Sequence, residues 1–168
     1  MGRNKSLLRI RGRTLIGHIR WTTRGLGLPV LVIRRDIVPR CGPLGGIYTG
    51  LQTSRAKAAL FLACDMPFVQ PALLQQMVEQ FRKNPRPIFS RVADTAGFPC
   101  IIPSSKTSMV QKCIGAKHLS IQKLASRLRA DFIDVDPADS AQLLNINTPR
   151  DLELARKMAR ATACKWHC

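Results

Sequence analysis

A three-layer α/β sandwich built on a mostly parallel sheet is the fold this sequence predicts, and three observations predict it. Ala58 to Cys64 (AALFLAC) is a continuous apolar run with no polar face, the habit of a central strand covered on both sides. From Pro71 the apolar residues Leu73, Leu74, Met77, Val78 and Phe81 recur instead at helical spacing. The same change of period repeats along the chain, and repeated strand and helix units stack as helices on both faces of one sheet.

Taken in order, Val30 to Ile33 reads as a buried strand. The glycine-rich turn Gly42-Pro43-Leu44-Gly45-Gly46 follows, then a helix carrying Ile47 and Leu51. After Ala58 to Cys64, Asp65-Met66-Pro67 stops the strand, Pro71 suits a first helical turn and Pro85 closes that helix. Strands are expected at Pro87 to Val92, Phe98 to Ile102 and Phe132 to Val135. Helices are expected at Ser105 to Ile114 and at Ser120 to Arg129; the second is capped by Ser120 and carries Ile121, Leu124, Ala125 and Leu128 on one face. Gln142 to Ile146 reads as a strand leading to the best helix start in the chain, with Thr148 as N-cap, Pro149 in the first position and Asp151 near the positive end of the dipole. Residues 1–161 make one domain, and 162–168, without periodicity, a loose tail.

With 168 residues, 45% of them hydrophobic, the chain is long enough for one sizeable core and too short for two comfortable domains. The net charge of +17 favours anionic partners, and the first forty residues concentrate it, with Asp36 as their one acid. An anion site is therefore sought near the amino-terminal end. No run approaches the roughly 18 apolar residues of a membrane span, and Met1-Gly2-Arg3-Asn4-Lys5 lacks an apolar signal region, so a cytoplasmic protein without membrane contact is expected. The six cysteines follow no paired spacing, which argues against a disulfide framework.

Open parallel sheets hold ligands beyond the carboxyl ends of their strands, where Asp36, Gly42 to Gly46, Asp65 and Asn145 to Asn147 fall. Asp65 follows directly on a buried strand, where a carboxylate needs solvent, a donor or a cation; Mg2+ held by one carboxylate and substrate phosphates would meet that need, as would a plain loop cap. The GPLGG stretch brings backbone amides and a helix amino terminus toward an anion, and reads equally as a tight turn. Lys5 could hold phosphate by charge or stay solvated. Cys164, His167 and Cys168 offer three zinc ligands without a fourth, and His18 and His118 have no visible partner.

Four blocks in order resemble the molybdenum cofactor guanylyltransferase family (MobA-like nucleotidyltransferases): MGRNKSLLRIRGRTLI, DIVPRCGPLGGIYTGL against a D-x-x-P…GPLAG block, ACDMPFVQPALL against a D-x-P block, and LLNINTPRDLELA against an N-x-N-T-P block. The resemblance implies a nucleotide-diphospho-sugar transferase-like, Rossmann-like sandwich. It also implies transfer of GMP from GTP to molybdopterin with release of pyrophosphate, Mg2+ as cofactor, and molybdoenzyme-maturation proteins as further partners. Carried over position by position, Lys5 grips phosphates, Asp36, Gly42, Pro43 and Leu44 contact base and sugar, Asp65 holds magnesium, and Asn145 and Asn147 lie near the acceptor phosphate.

The family's glycine-rich LAGG segment and the strand before it have no counterpart here, so the fold is expected to be incomplete at its amino-terminal end and the stretch through Arg13 poorly anchored. Between His18 and Leu26 only IRWTTRG stands where the family has another strand and an asparagine-bearing loop. A CTP-dependent cytidylyltransferase, which more often carries D-Q-P where Met66 gives D-M-P, is the nearest alternative. An inactive remnant and a basic anion-binding protein stay open; nine aromatic residues and no nucleic-acid motif make nucleic acid the less favoured partner.

Overall fold

The computed structural model describes residues 7–161. In chain order its elements are β1 (Arg9–Ile10), β2 (Arg13–Thr14), α1 (Leu15–Thr23), α2 (Pro43–Thr53), β3 (Ala58–Phe61), α3 (Pro71–Lys83), β4 (Ile88–Val92), β5 (Thr95–Pro103), α4 (Thr107–Gly115), α5 (Ile121–Arg127), β6 (Asp131–Asp134) and α6 (Pro149–Ala161). Lys5, the stretch Met1 to Lys5 and the cluster Cys164, His167 and Cys168 lie outside the described residues, as does the expected tail.

The expected α/β class holds, with helices over both faces of one sheet. Ile88 and Phe89 are adjacent on β4, and Ile101 and Ile102 on β5, so they point to opposite faces. Phe89 and Ile102 pack with Leu44 and Ile47 of α2, Val110 of α4 and Leu124 of α5. Ile88 and Ile101 pack with Leu73 and Met77 of α3 and with Ile133 of β6. That makes three layers, with Ile88 to Ser90 of β4 fully buried between them.

The sheet is mixed rather than mostly parallel. Its order is β3-β5-β4-β6; only β4 and β6 run parallel, and β5 is antiparallel to both neighbours. The reason is the connection: Ala93-Asp94 alone separates β4 from β5, which closes a hairpin, whereas a parallel crossover needs a dozen residues or more.

Three expected elements differ. The run at Ala58 forms a four-residue strand, and β3 lies at one end of the described sheet instead of its middle, with Leu60 and Leu62 half-buried. Its ladder partner is β5, and α2 covers Phe61 at Gly50. Val30 to Ile33 joins no ladder, leaving Val30 56% and Leu31 60% exposed. Gln142 to Ile146 is no strand. Asp136 accepts the Ala138 N–H at 2.7 Å, Pro137 sets the first position, and 3-10 turns run over Pro137–Leu143 before a loop.

The amino-terminal elements are anchored from β1 onward. The β1–β2 hairpin turns at Arg11 and Gly12, with φ of 48° and 76°. Thr14 caps α1 by accepting the Gly17 N–H at 3.1 Å. Ile10 and Leu15 then join Phe68, Ile146, Leu152, Ala155 and Ala159 in a core that reaches α6. This corrects the expectation of poor anchoring for Arg9 to Arg13, whose hairpin is held by Ile10 and by the Arg11 guanidinium donating to the Ala159 carbonyl at 3.2 Å. Cys41, Cys100 and Cys113 are buried free thiols, and burial pushes the Cys100 thiol well up. Among the described residues no helix is long and apolar enough to cross a membrane.

Candidate active site

A cleft of about 940 Å³ opens beside the carboxyl end of β3, and it brings Pro43, Asp65, Asn145 and Asn147 together. Asp65 sits on a tight turn in which Met66 donates its N–H to the Ala63 carbonyl at 3.3 Å. Met66, Val69 and Leu74 are buried as one cluster beneath that turn, so the carboxylate is presented from a packed base. The Met66 side chain is 3% exposed and serves that anchoring.

The second wall is the loop before α6. Ile146 is 1% exposed, and its N–H donates to the Asp65 carbonyl at 2.9 Å, which ties the two site loops directly. Thr148 and Asp151 form the expected helix start. Thr148 Oγ1 accepts the Asp151 N–H at 3.1 Å, and Asp151 Oδ2 accepts the N–H groups of Thr148 at 2.8 Å and Asn147 at 2.9 Å. Those backbone donors hold the Asp151 carboxyl below its ordinary value.

From the glycine-rich stretch only Pro43 lines the cleft, while Asp36, Gly42 and Leu44 do not; Gly42 precedes α2 at φ 54°, ψ −141°, a conformation that side chains resist, and Pro43 opens the helix. Gly45 and Gly46 are therefore helical instead of lying in a loop. Leu44 is fully buried, so its side chain belongs to the core and only its backbone could meet a ligand. Asp36 lies against the first turn of α2: a methyl group at position 45 would sit 2.7 Å from its Oδ2. Where the resembling block has alanine, this chain has Gly45, and the Asp36 carboxylate occupies that space. The adjoining loop is pinned by the Ile37 N–H donating to Thr49 Oγ1 at 2.9 Å.

The remaining wall was not foreseen in the sequence. Thr95, Gly97 and Phe98 of β5, Leu119 to Gln122 around the start of α5, Ser140 and Leu143 all line the cleft. The signal was available: Gly97 and Pro99 interrupt a strand pattern, which marks an irregularity. Register confirms one, since Phe89 pairs with Cys100 while Ser90 pairs with Gly97, leaving Phe98 and Pro99 as extra residues on β5. His18 is not part of the cleft. Its Nε2 lies 3.1 Å from the Ile10 carbonyl, and burial lowers its pKa.

A carboxylate and two amide residues stand together beyond the strand ends of a helix-covered sheet, beside a helix amino terminus, where open α/β sheets hold their ligands, and the family match places the fold in the nucleotidyltransferase class. The MobA-like NTP transferase domain matches residues 1–132, and the chain belongs to that family. A molybdenum cofactor guanylyltransferase of Pseudomonas fluorescens is 29% identical over 170 residues, an overlap of 90% of this chain and 84% of the relative. The crystal structure of molybdopterin-guanine dinucleotide biosynthesis protein A from Archaeoglobus fulgidus superimposes with a TM-score of 0.69 at 16% identity, covering 96% and 93% of the two chains. A manganese complex of a Mycobacterium tuberculosis protein superimposes with a TM-score of 0.68 at 21% identity, covering 93% of each. The two structures share the nucleotide-diphospho-sugar transferase fold.

Proposed function

We propose that this chain transfers GMP from GTP to the terminal phosphate of molybdopterin. An acceptor phosphate oxygen attacks the α-phosphorus, the bond from that phosphorus to the β-phosphate oxygen breaks, and pyrophosphate leaves. The observation that carries the reading is the meeting of Asp65 and Asn147 in one cleft, joined through the Ile146 to Asp65 backbone bond, in a chain similar to proteins named molybdenum cofactor guanylyltransferases. Such a transfer needs aligned phosphates and positive charge more than a covalent nucleophile, and the cleft offers oxygen and amide groups to align them.

The donor set suits Mg2+. Asp65 is one carboxylate among neutral amides, and among the described residues no group of three His, Cys, Asp or Glu side chains gathers to form a closed cage. A hard cation that keeps substrate phosphates and water in its shell is held in this way. When bound, it neutralises phosphate charge as the leaving group departs. Asp65 holds that position; the side-chain amides of Asn145 and Asn147 orient the acceptor phosphate. The resemblance assigns Asp36, Gly42, Pro43 and the Leu44 backbone to the base and sugar, Pro43 being the one of them that lines the cleft, and assigns Lys5, outside the described residues, to the phosphates.

Pyrophosphate release with molybdopterin and Mg2+ tests the assignment, run with GTP and CTP side by side. Turnover with GTP is the expected outcome. Preference for CTP moves the chain to the cytidylyltransferase reading, and release with neither overturns the proposal.

A further inference from the structure

Asp65 and Asn147 stand on loops far apart in the chain, and two small contacts determine how the second loop meets the first. One is Ile146, whose side chain is buried between α1 and α6 and whose N–H rests on the Asp65 carbonyl at 2.9 Å. The other is Asp151. A helix-capping box requires its carboxylate to accept one backbone N–H, that of the N-cap residue, here Thr148 at 2.8 Å. The same oxygen, Oδ2, also accepts the N–H of Asn147 at 2.9 Å, one residue before the cap. Capping alone has no use for that second bond.

We propose that Asp151 is a positioning residue that fixes the direction in which Asn147 enters the cleft. Two consecutive amides pinned on one oxygen leave the peptide planes on either side of Asn147 little freedom. Ile146 holds the residue before it, so Asn147, which lines the cleft, is clamped at both ends. Asp151 itself is not among the cleft-lining residues and acts through Asn147 alone. This inference rests on the reading of the cleft as a nucleotidyl-transfer site, in which misplacing one oriented group by about 1 Å is felt strongly in the chemical step.

The test is a cycle of Asp151→Ala, Asn147→Ala and the double variant in the full chain, assayed by pyrophosphate release from GTP, Mg2+ and molybdopterin. D151A is expected to lower kcat roughly ten- to a hundredfold with the KM for GTP unchanged. D151E, which places the usual capping-box acid at the same position, is expected to restore it. In the N147A background D151A should cost no further turnover. A full D151A loss in that background makes Asp151 merely structural and overturns the inference. Unchanged turnover in N147A overturns the role of Asn147 in the cleft, and this inference with it. A second readout is independent of turnover: Mn2+ with GTP should broaden the Asn147 side-chain amide signal in nuclear magnetic resonance, in the native chain and in D151E. The broadening should fall several-fold in D151A, or in D151N if D151A does not fold. Equal broadening in the folded variant overturns the proposal.

Discussion

β4 and the irregular stretch through Val30 and Leu31 are built from similar residues in opposite surroundings. β4 has β5 on one edge and β6 on the other, α2, α4 and α5 over one face and α3 over the second, and Ile88, Phe89 and Ser90 are fully buried. Val30 and Leu31 share its apolar character but have no ladder, and both lie more than half exposed. Ile33, at the end of that stretch, is the point where the segment meets the body, beside Gly50 and Phe61. An apolar strand is thus buried by its neighbours' edges, and its own composition supplies only the willingness.

Phe89→Ala tests the buried side of that contrast and carries the largest expected effect, a loss of about 3–5 kcal/mol in urea unfolding, because the ring leaves a cavity among packed helices. A loss below 1 kcal/mol would mean that the layer over β4 collapses freely. Asp65→Asn keeps the size and removes the charge, so GTP turnover should fall by about a hundredfold or more while the unfolding midpoint stays near the native value. Next is Gly50→Ala, where a methyl group would lie 2.6 Å from the Phe61 ring and 3.2 Å from Ile33. Overpacking of about 1–3 kcal/mol is expected, and chemical denaturation will read it.

Acid separates the amino-terminal helix from the carboxyl-terminal elements. Burial lowers the pKa of His18, so the unfolded chain binds its proton more readily, and stability should begin to decline as pH falls below the ordinary histidine value of about 6.5. Asp134 is lowered by its hydrogen bond with Arg91, and Asp151 by the backbone amides of Thr148 and Asn147. Their contributions are complete above the ordinary aspartate value of about 3.9 and are lost as pH falls through the lower folded values. His18→Gln should remove the first decline in a pH series of unfolding curves, and D134N with D151N the second. Smallest of all, Leu31→Ala should change stability by less than about 0.5 kcal/mol, since the side chain is 60% exposed. A larger loss would show that this stretch has a covered state after all.

Much of this architecture was legible from local chemistry. Pro71, Ser120, Thr148 and Asp151 announced their helices, and each helix begins where its cap or proline stands. Asp65, Asn145 and Asn147 were legible because polar residues just past strands or before helices gather where a sheet opens. Pairing was not legible at Val30 to Ile33 or at Ala58, since apolar runs state that they can be covered and leave unstated which edge covers them. The wall at Gly97 and Phe98 was missed for a related reason: its place depends on a register slip against β4, a relation between two strands.

The backbone bond from Ile146 to Asp65 has a consequence for how the molecule is made. Asp65 leaves the ribosome well before the segment that receives its carbonyl, and the cleft stays open on that side until Ile146 and α6 have been synthesised and docked. A nascent chain that stops short of Ile146 carries the Asp65 wall of the cleft without the Asn145 and Asn147 wall, so the cleft is completed late in synthesis.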